Sequence, residues 1–255
     1  MNNGFVTQEL KNNISEITFG TPKSNSLPGE ILEKLAQTIS ESGKDENVKA
    51  ILLKSEGEKA FCAGASFDEL LSIDELEISK KFFGGFAKVL NAMRNCGKLV
   101  IVRVQGKTTG GGVGIACAAD YCFATKDAAM ALTELNLGIG PFVIGPYVER
   151  KIGKSAYAAM SIDADFRSAD WYEKHDVYHS VSENIQEMDE KIAAFMNKLS
   201  ERSADALALI KKVSWEGSEH FDQLMPERIL MSASLILEDS AKKNIELIKE
   251  KLRAK

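Results

Sequence analysis

The stretch from Leu99 to Ala119, LVIVRVQGKTTGGGVGIACAA, constrains the fold more than any other part of the chain. It begins with an apolar run that predicts a buried strand and ends with small residues that predict a helix. The glycine cluster between them permits positive φ angles and lets a ligand approach the backbone, because no Cβ intervenes. The first N–H groups of such a helix lack partners and carry the positive end of its dipole. The stretch therefore predicts a donor site for an oxygen that gains negative charge, which is half of an oxyanion hole.

A second stretch, Gly57 to Leu70, repeats this arrangement. A strand ends there in a turn of small residues, and a helix is predicted to begin at Ser66. Ser66 is a suitable N-cap, and Glu69 stands three residues later as its capping-box partner. The chain is therefore predicted to build the same kind of donor site twice.

The order of the elements predicts an α/β protein. A strand pair at Phe5 to Phe19 is followed by a helix with apolar residues at helical spacing and then by the buried strand KAILLK, an order that implies a parallel crossover. Ile73 to Cys96 is predicted to be helical with an interruption at Gly84-Gly85. Thr133 to Pro141 is predicted as a turn-rich loop, and Phe142 to Ile152 as a helix behind Pro141.

The last quarter of the chain has a different character. From Ile185 onward, apolar residues recur on one helical stripe, and no strand is predicted to the end. We place a boundary near Asn184, between a core over residues 1–184 and a helical region over 185–255. Such a tail packs on another subunit or, alternatively, on its own core.

Composition excludes several classes of partner. The 255 residues carry 44% hydrophobic and 27% charged side chains and a net charge of -5, which gives no reason to expect a nucleic acid or an acidic membrane surface. No apolar run has the length of a membrane span, and the beginning of the chain does not resemble a signal peptide, so a cytoplasmic location is expected. The four scattered cysteines predict free thiols. His175 and His179 have the spacing of two metal ligands on a helix, but no acid accompanies them, so no metal site is expected.

Two partial matches to nucleotide-binding motifs each lack a required glycine. Gly106-Lys107-Thr108 resembles the end of a phosphate-binding loop, yet the glycine required five residues earlier is replaced by Ile101. The glycine cluster does not satisfy G-x-G-x-x-G in any register, because Ile115 stands where the last glycine belongs. Neither motif predicts a nucleotide cofactor.

Four motifs in order resemble the crotonase superfamily, the enoyl-CoA hydratases and isomerases. The motifs are AFCAGA (Ala60 to Ala65), KLVIVRVQGKTTGGGVGIACAADYCFAT (Lys98 to Thr125), ALTELNLGIGP (Ala131 to Pro141) and YVERKIG (Tyr147 to Gly153). The resemblance implies the crotonase-like (ClpP/crotonase) spiral of ββα units with a C-terminal helical region that builds trimers, which often pair into hexamers. It implies a coenzyme A thioester as substrate and no separate cofactor.

The resemblance also implies roles for particular residues. The amides of Ala65 and Gly111 match the two backbone donors that hold the thioester carbonyl, and Glu134 matches a catalytic glutamate of the later loop. Ala63 and Phe67 match positions beside the coenzyme A nucleotide, as does the segment Lys23 to Leu27. We also expect substrate contacts from Gly110, Gly114 and Phe142, and an apolar acyl pocket from Phe142, Val143 and Ile144.

One departure from the family pattern leaves the reaction open. Hydratases of the family usually employ two glutamates, and the position of the first one matches Gly114 here. Proton transfer between two carbons of one substrate needs a single base, which favours an isomerase that uses Glu134 alone. Against this, Gly114 and the following GIGPFVIGPYVERKIG resemble a branch of methylglutaconyl-CoA-type hydratases. The first expectation is therefore hydration of a 2-enoyl-CoA with Glu134 as acid and base, and isomerisation is the alternative. A decarboxylase of a CoA ester and a non-catalytic acyl-CoA-binding scaffold are the remaining alternatives.

Overall fold

The described residues form two β-sheets, and the larger one has six strands. The computed structural model describes the backbone of residues 4–253 and the side chains of residues 4–250, so the outermost residues of both predicted regions lie outside the described part. The first two strands form an antiparallel hairpin, and each later strand of the larger sheet adds in parallel. In spatial order its strands are β1 (Phe5–Lys11), β2 (Ile14–Gly20), β3 (Ala50–Ser55), β5 (Leu99–Val104), β7 (Tyr121–Thr125) and β9 (Ser180–Ser182).

A second, three-stranded parallel sheet was only partly foreseen. The chain passes from β3 to β4 (Ala60–Cys62) and from β5 to β6 (Lys107–Thr109), and β8 (Met130–Ala131) completes this sheet in the order β4-β6-β8. The prediction ran one strand directly into the glycine cluster, whereas β6 intervenes. Alternation between the two sheets is what makes the chain spiral.

Helices cover both sheets. They are α1 (Gly29–Lys44), α2 (Phe67–Leu70), α3 (Leu76–Asn95), α4 (Gly111–Ala118), α5 (Gly145–Asp163), α6 (Ala169–Lys174), α7 (Ile185–Ser200), α8 (Ala204–Ser214), α9 (Phe221–Leu235) and α10 (Asp239–Arg253), with a 3₁₀ turn at Glu134–Leu137.

Two helix predictions were wrong. Helix α3 runs without interruption through Gly84 and Gly85. Gly85 allows α3 to pack closely on α1, because a Cβ there would lie 2.7 Å from Leu32 Cδ1. Helix α5 begins at Gly145 rather than Phe142. It continues to Asp163 across a kink at Gly153, whose φ of 79° breaks the helical geometry.

The C-terminal helices pack on the core of their own chain, which was the alternative prediction. Helix α7 covers the larger sheet with Met188, Ile192 and Met196, and Ser79 Oγ of α3 donates to the carbonyl of Ala233 in α9 at 3.0 Å. Asn184 is the N-cap of α7, and its side chain accepts from Glu187 N–H. The predicted boundary thus falls at a helix start, while oligomer formation by residues 185–255 stays a prediction.

A buried ion pair between Lys211 and Asp120 links α8 to the larger sheet. Asp120 Oδ2 accepts from Val100 N–H at 2.7 Å and from Lys211 Nζ at 2.6 Å, and Oδ1 accepts from Trp215 Nε1 at 2.7 Å. Lys211 Nζ also donates to the Met93 carbonyl at 2.7 Å. These bonds satisfy both buried charges, so Asp120 supports the fold. Within residues 4–253, no helix is both long and apolar enough to cross a bilayer.

Candidate active site

The three elements that carry the predicted catalytic residues leave the smaller sheet at one edge. Strands β4, β6 and β8 are parallel, with Cys62 paired to Thr108 and Thr109 paired to Ala131. The residues that follow each strand therefore emerge side by side, at the edge where parallel sheets place ligands. This topology brings Ala65, Gly111 and Glu134 into one region from three distant parts of the sequence.

Pairing with Leu27 leaves the Ala65 amide free. Leu27 N–H donates to the carbonyl of Gly64 at 2.8 Å, and Ser66 N–H donates to the carbonyl of Leu27 at 3.1 Å. In such a parallel bridge the middle residue, Ala65, turns its own N–H and C=O away from the partner. No acceptor for Ala65 N–H occurs within the described part of the chain. This amide is available to a ligand.

The Gly111 amide is free because it begins a helix. Gly111 is the first residue of α4, so its N–H has no partner inside the helix. The preceding residue, Gly110, has φ 54° and ψ -124°, a conformation that favours glycine. A Cβ on Gly111 would lie 2.4 Å from the ring of Phe86 in α3, so a larger residue here would have to displace that ring or the helix start.

The two donor turns lie in contact with each other. A Cβ on Gly64 would be 3.8 Å from the nitrogen of Gly111 and 3.9 Å from the Cα of Gly110. The amide that follows Gly64 and the amide of Gly111 therefore border the same space. The arrangement can hold one oxygen between two N–H donors, aided by the positive end of the α4 dipole.

Glu134 presents a carboxylate to the same space. Its Oε1 lies 3.4 Å from the position that a Cβ on Gly110 would take, and its Oε2 is buried without a hydrogen-bond partner. Burial raises the pKa of Glu134 from 4.5 to about 7, although a backbone hydrogen bond lowers it slightly. A carboxyl group with this pKa gains and loses a proton readily near neutral pH.

These residues line a single cavity of about 320 Å³. Seven of the eight predicted site residues contribute to its wall: Ala63, Ala65, Phe67, Gly110, Gly111, Glu134 and Phe142. The expected apolar neighbours Val143 and Ile144 line it as well. Sequence reasoning missed the wall provided by α3, namely Phe82, Phe83 and Phe86. Phenylalanines at i and i+4 of a predicted helix were the available signal.

Gly114 does not line the cavity, contrary to the prediction. It lies in the second turn of α4, where a Cβ would be 2.7 Å from Ile144 Cγ2 and 3.2 Å from Leu90 Cδ1. Ile144 lines the cavity in front of it. The position that the resemblance assigns to a second glutamate is thus filled by apolar packing.

The turn before α2 differs from the predicted capping box. Ser66 Oγ accepts from Glu69 N–H, as expected of an N-cap. The Glu69 carboxylate instead accepts from Gly29 N–H at the start of α1, at 2.9 Å, because Ser66 N–H is already bonded to Leu27. The same turn contacts the segment Lys23 to Leu27, since Ala63 N–H donates to the Ser24 carbonyl. The two segments predicted to border a nucleotide therefore lie side by side.

The histidines singled out by spacing do not share a helix face. His175 follows the end of α6, and its Nδ1 lies 2.8 Å from the carbonyl of Trp171. His179 precedes β9, and its Nδ1 accepts from Cys122 N–H at 3.0 Å. Over residues 4–250, no three His, Cys, Asp or Glu side chains are grouped as metal ligands. Burial raises the pKa of the Cys62 and Cys117 thiols to about 12, which disfavours the thiolate form of both side chains.

Several known proteins are similar to this chain in sequence or in fold. A model of the family described as enoyl-CoA hydratase/isomerase matches residues 9–255. A Bacillus subtilis protein described as "Probable enoyl-CoA hydratase" is 28% identical over 215 residues, covering 80% of this chain and 82% of its own. A trans-2-decenoyl-acyl-carrier-protein isomerase of Streptococcus mutans is 23% identical over 261 residues, covering 98% and 97%. The solved structure of an enoyl-CoA hydratase from Bacillus halodurans matches with a TM-score of 0.89 at 20% identity, covering 95% of this chain and 99% of that one.

The fold is that of the crotonase superfamily, a class of mixed α/β proteins with a helical C-terminal region. Within it, the chain belongs to the enoyl-CoA hydratase/isomerase family.

Proposed function

We propose that the protein is an enoyl-CoA isomerase that moves a double bond from position 3 to position 2 of an acyl thioester. The observation that carries this proposal is the composition of the cavity wall: among the described residues that line it, Glu134 is the only one with an ionisable side chain. Shifting a proton between two carbons of one substrate needs one base, which later acts as the acid.

The steps follow from the positions of the three groups. The Glu134 carboxylate takes a proton from C2, beside the thioester carbonyl, and the electron pair moves into the carbonyl to give a dienolate. The amides of Ala65 and Gly111 donate hydrogen bonds to the oxygen that gains the charge. Protonated Glu134 then delivers the proton to C4, and the double bond settles between C2 and C3. A pKa of about 7 suits a group that must act as base and acid in one turnover.

Hydration of a 2-enoyl-CoA is the second candidate. The Bacillus subtilis relative and the Bacillus halodurans structure, both described as enoyl-CoA hydratases, support it. Glu134 would then have to activate water and protonate C2 without a second carboxylate. Apolar packing around Gly114 argues against this reaction. Decarboxylation and binding without turnover are the weaker alternatives.

Parallel assays distinguish these functions. We expect conversion of 3-hexenoyl-CoA to 2-hexenoyl-CoA, with little addition of water to 2-hexenoyl-CoA. Replacing the carboxylate in Glu134→Gln should slow isomerisation by at least about 100-fold, since general base catalysis contributes that much or more. Glu173→Gln, at an exposed position of α6, is the matched control. Hydration faster than isomerisation would overturn the proposal, and turnover of neither compound would favour the scaffold.

A further inference from the structure

The C-terminal helix α10 packs directly on the turn that carries Glu134. The 3₁₀ turn Glu134–Leu137 ends at Gly138, whose φ of 84° is left-handed and whose N–H donates to the carbonyl of Leu135 at 2.9 Å. Against this glycine lies Ala241 of α10: a Cβ on Gly138 would be 3.1 Å from Ala241 Cα and 3.4 Å from Ala241 Cβ. Ala241 is fully buried. A larger side chain at position 241 would therefore have to displace the turn or the helix.

Helix α10 also belongs to an apolar cluster that reaches from this turn to the cavity wall. The buried members of the cluster are Leu70, Ile139, Ile236, Ala241 and Ile245. Leu137, the last residue of the turn, packs against the cluster, as do Phe82 and Phe83 of the cavity wall. Ile248, three residues after Ile245, lines the cavity itself. One helix thus supports the turn and closes one side of the cavity.

The contribution of α10 is steric and apolar. Its described charged side chains are exposed except that of Lys249, whose Nζ pairs with exposed Glu246 at 3.1 Å. The neighbouring ionisable group is Tyr157 of α5, whose pKa is raised by burial and, to a smaller degree, by the charge of Glu134. Burial in turn raises the pKa of Glu134 to about 7. The helix therefore affects Glu134 by excluding water and fixing the turn rather than through its own charges.

We infer that Ala241 is a positioning residue for Glu134. By seating α10 on Gly138, it holds the 3₁₀ turn where the carboxylate borders the two oxyanion amides. The C-terminal helix is then part of the active site of its own chain, although it acts only through the turn. This inference rests on the proposed function, because it takes Glu134 as the base.

A larger side chain at position 241 tests the inference. In Ala241→Leu, the added carbons would force α10 and the turn apart and admit water to the carboxylate, so the pKa of Glu134 should fall toward 4.5. Ser240→Leu places the same side chain at the exposed neighbouring position and is the matched control. NMR titration of carbon-13-labelled glutamate carboxyls, with the Glu134 signal identified by its loss in Glu134→Gln, reports this pKa without turnover. We expect a pKa of about 7 in the wild type and Ser240→Leu, and below about 6 in Ala241→Leu.

Kinetics separate positioning from a general loss of stability. In folded Ala241→Leu, the kcat for isomerisation at pH 8 should fall by at least about 10-fold, with a smaller change in KM, because a misplaced base slows proton transfer. Should this variant fail to fold, Ala241→Val introduces a smaller side chain and should shift both the pKa and kcat in the same direction. An unchanged Glu134 pKa and kcat in a folded variant would overturn the inference and leave isomerisation standing. A lowered pKa in Ala241→Leu, with no isomerisation by the wild type, would overturn the proposed function and support the inference.

Discussion

The carboxylate of Glu134 packs against the backbone of Gly110, with Oε1 at 3.4 Å from where a Cβ on that glycine would be. This contact places the base next to the amide of Gly111, one residue further along the chain. It exists because β6 and β8 are parallel neighbours, so the residues after Thr109 and Ala131 leave the sheet together. In the proposed reaction, this pair of strands sets the positions of the base and of one of the two oxyanion donors.

Activity should depend on the ionisation of Glu134. The base must be deprotonated in the free enzyme, and its pKa is raised to about 7 by burial. The kcat/KM for isomerisation should therefore fall as the pH drops through 7, by about tenfold for each further pH unit. Initial rates with 3-hexenoyl-CoA from pH 5 to 9 measure this limb. A limb near the ordinary glutamate value of 4.5 would contradict the burial of the carboxylate.

The raised pKa of Glu134 also means that its ionised carboxylate should destabilise the folded protein. A carboxyl group whose pKa is higher in the folded state stabilises the fold below its unfolded pKa, and this contribution is lost as the pH rises from 4.5 to about 7. Glu134→Gln does not ionise, so it should be more stable than the wild type at pH 8, by at most about 3 kcal/mol. Urea unfolding of both proteins at pH 8 and pH 4.5 measures the difference. The two should converge at pH 4.5, and a less stable variant at pH 8 would be the opposite of this expectation.

The start of α4 should not tolerate a side chain at Gly111. In Gly111→Ala, the new Cβ would meet the Phe86 ring at 2.4 Å and push the amide away from its place. Loss of one oxyanion donor slows reactions by about 100- to 1,000-fold, so kcat should fall in this range while the protein remains folded. The double variant Gly111→Ala/Phe86→Ala makes room for the Cβ and should recover part of the loss. No recovery would show that Phe86 is not the obstacle.

The ion pair between Asp120 and Lys211 should be important for stability and not for chemistry. Their side chains are 8% and 2% exposed, so Lys211→Met leaves a buried carboxylate without its cation. Breaking such a pair costs about 3–5 kcal/mol. Chemical denaturation should show this loss, whereas Lys212→Met, at the exposed neighbouring position, should change stability little. A drop in kcat at a temperature where the Lys211 variant is fully folded would contradict a purely structural role.

The local chemistry of the site was predictable from sequence, but its apolar wall was not. Free amides after a strand and small residues follow from turn and helix geometry, and both predicted donors line the cavity. Glu134 was reached through the family resemblance, because nothing in its own neighbourhood distinguishes it from a surface glutamate. The phenylalanines of α3 escaped notice because helical periodicity identifies a buried face without showing which space that face borders.

Gly114 illustrates a second feature that the sequence alone did not predict. The family resemblance placed Gly114 at the site, whereas in the structure it packs against Ile144 and Leu90 behind the cavity wall. The prediction of an interruption at Gly84-Gly85 was wrong for a similar reason. Glycine lowers helix propensity, yet the close approach of α1 to Gly85 outweighs this preference. Both errors concern contacts between elements, which no local pattern contains.

Removal of the proton beside the thioester can be measured separately from the reaction that follows it. In D₂O, hexanoyl-CoA offers that proton but has no double bond to hydrate or to move, so deuterium uptake at C2 reports the base and the oxyanion site alone. We predict that the wild type and Glu173→Gln incorporate deuterium, detected by mass spectrometry, and that Glu134→Gln does so at least about 100-fold more slowly. Equal uptake by wild type and Glu134→Gln, or none by the wild type, would contradict the assignment of Glu134 as the base.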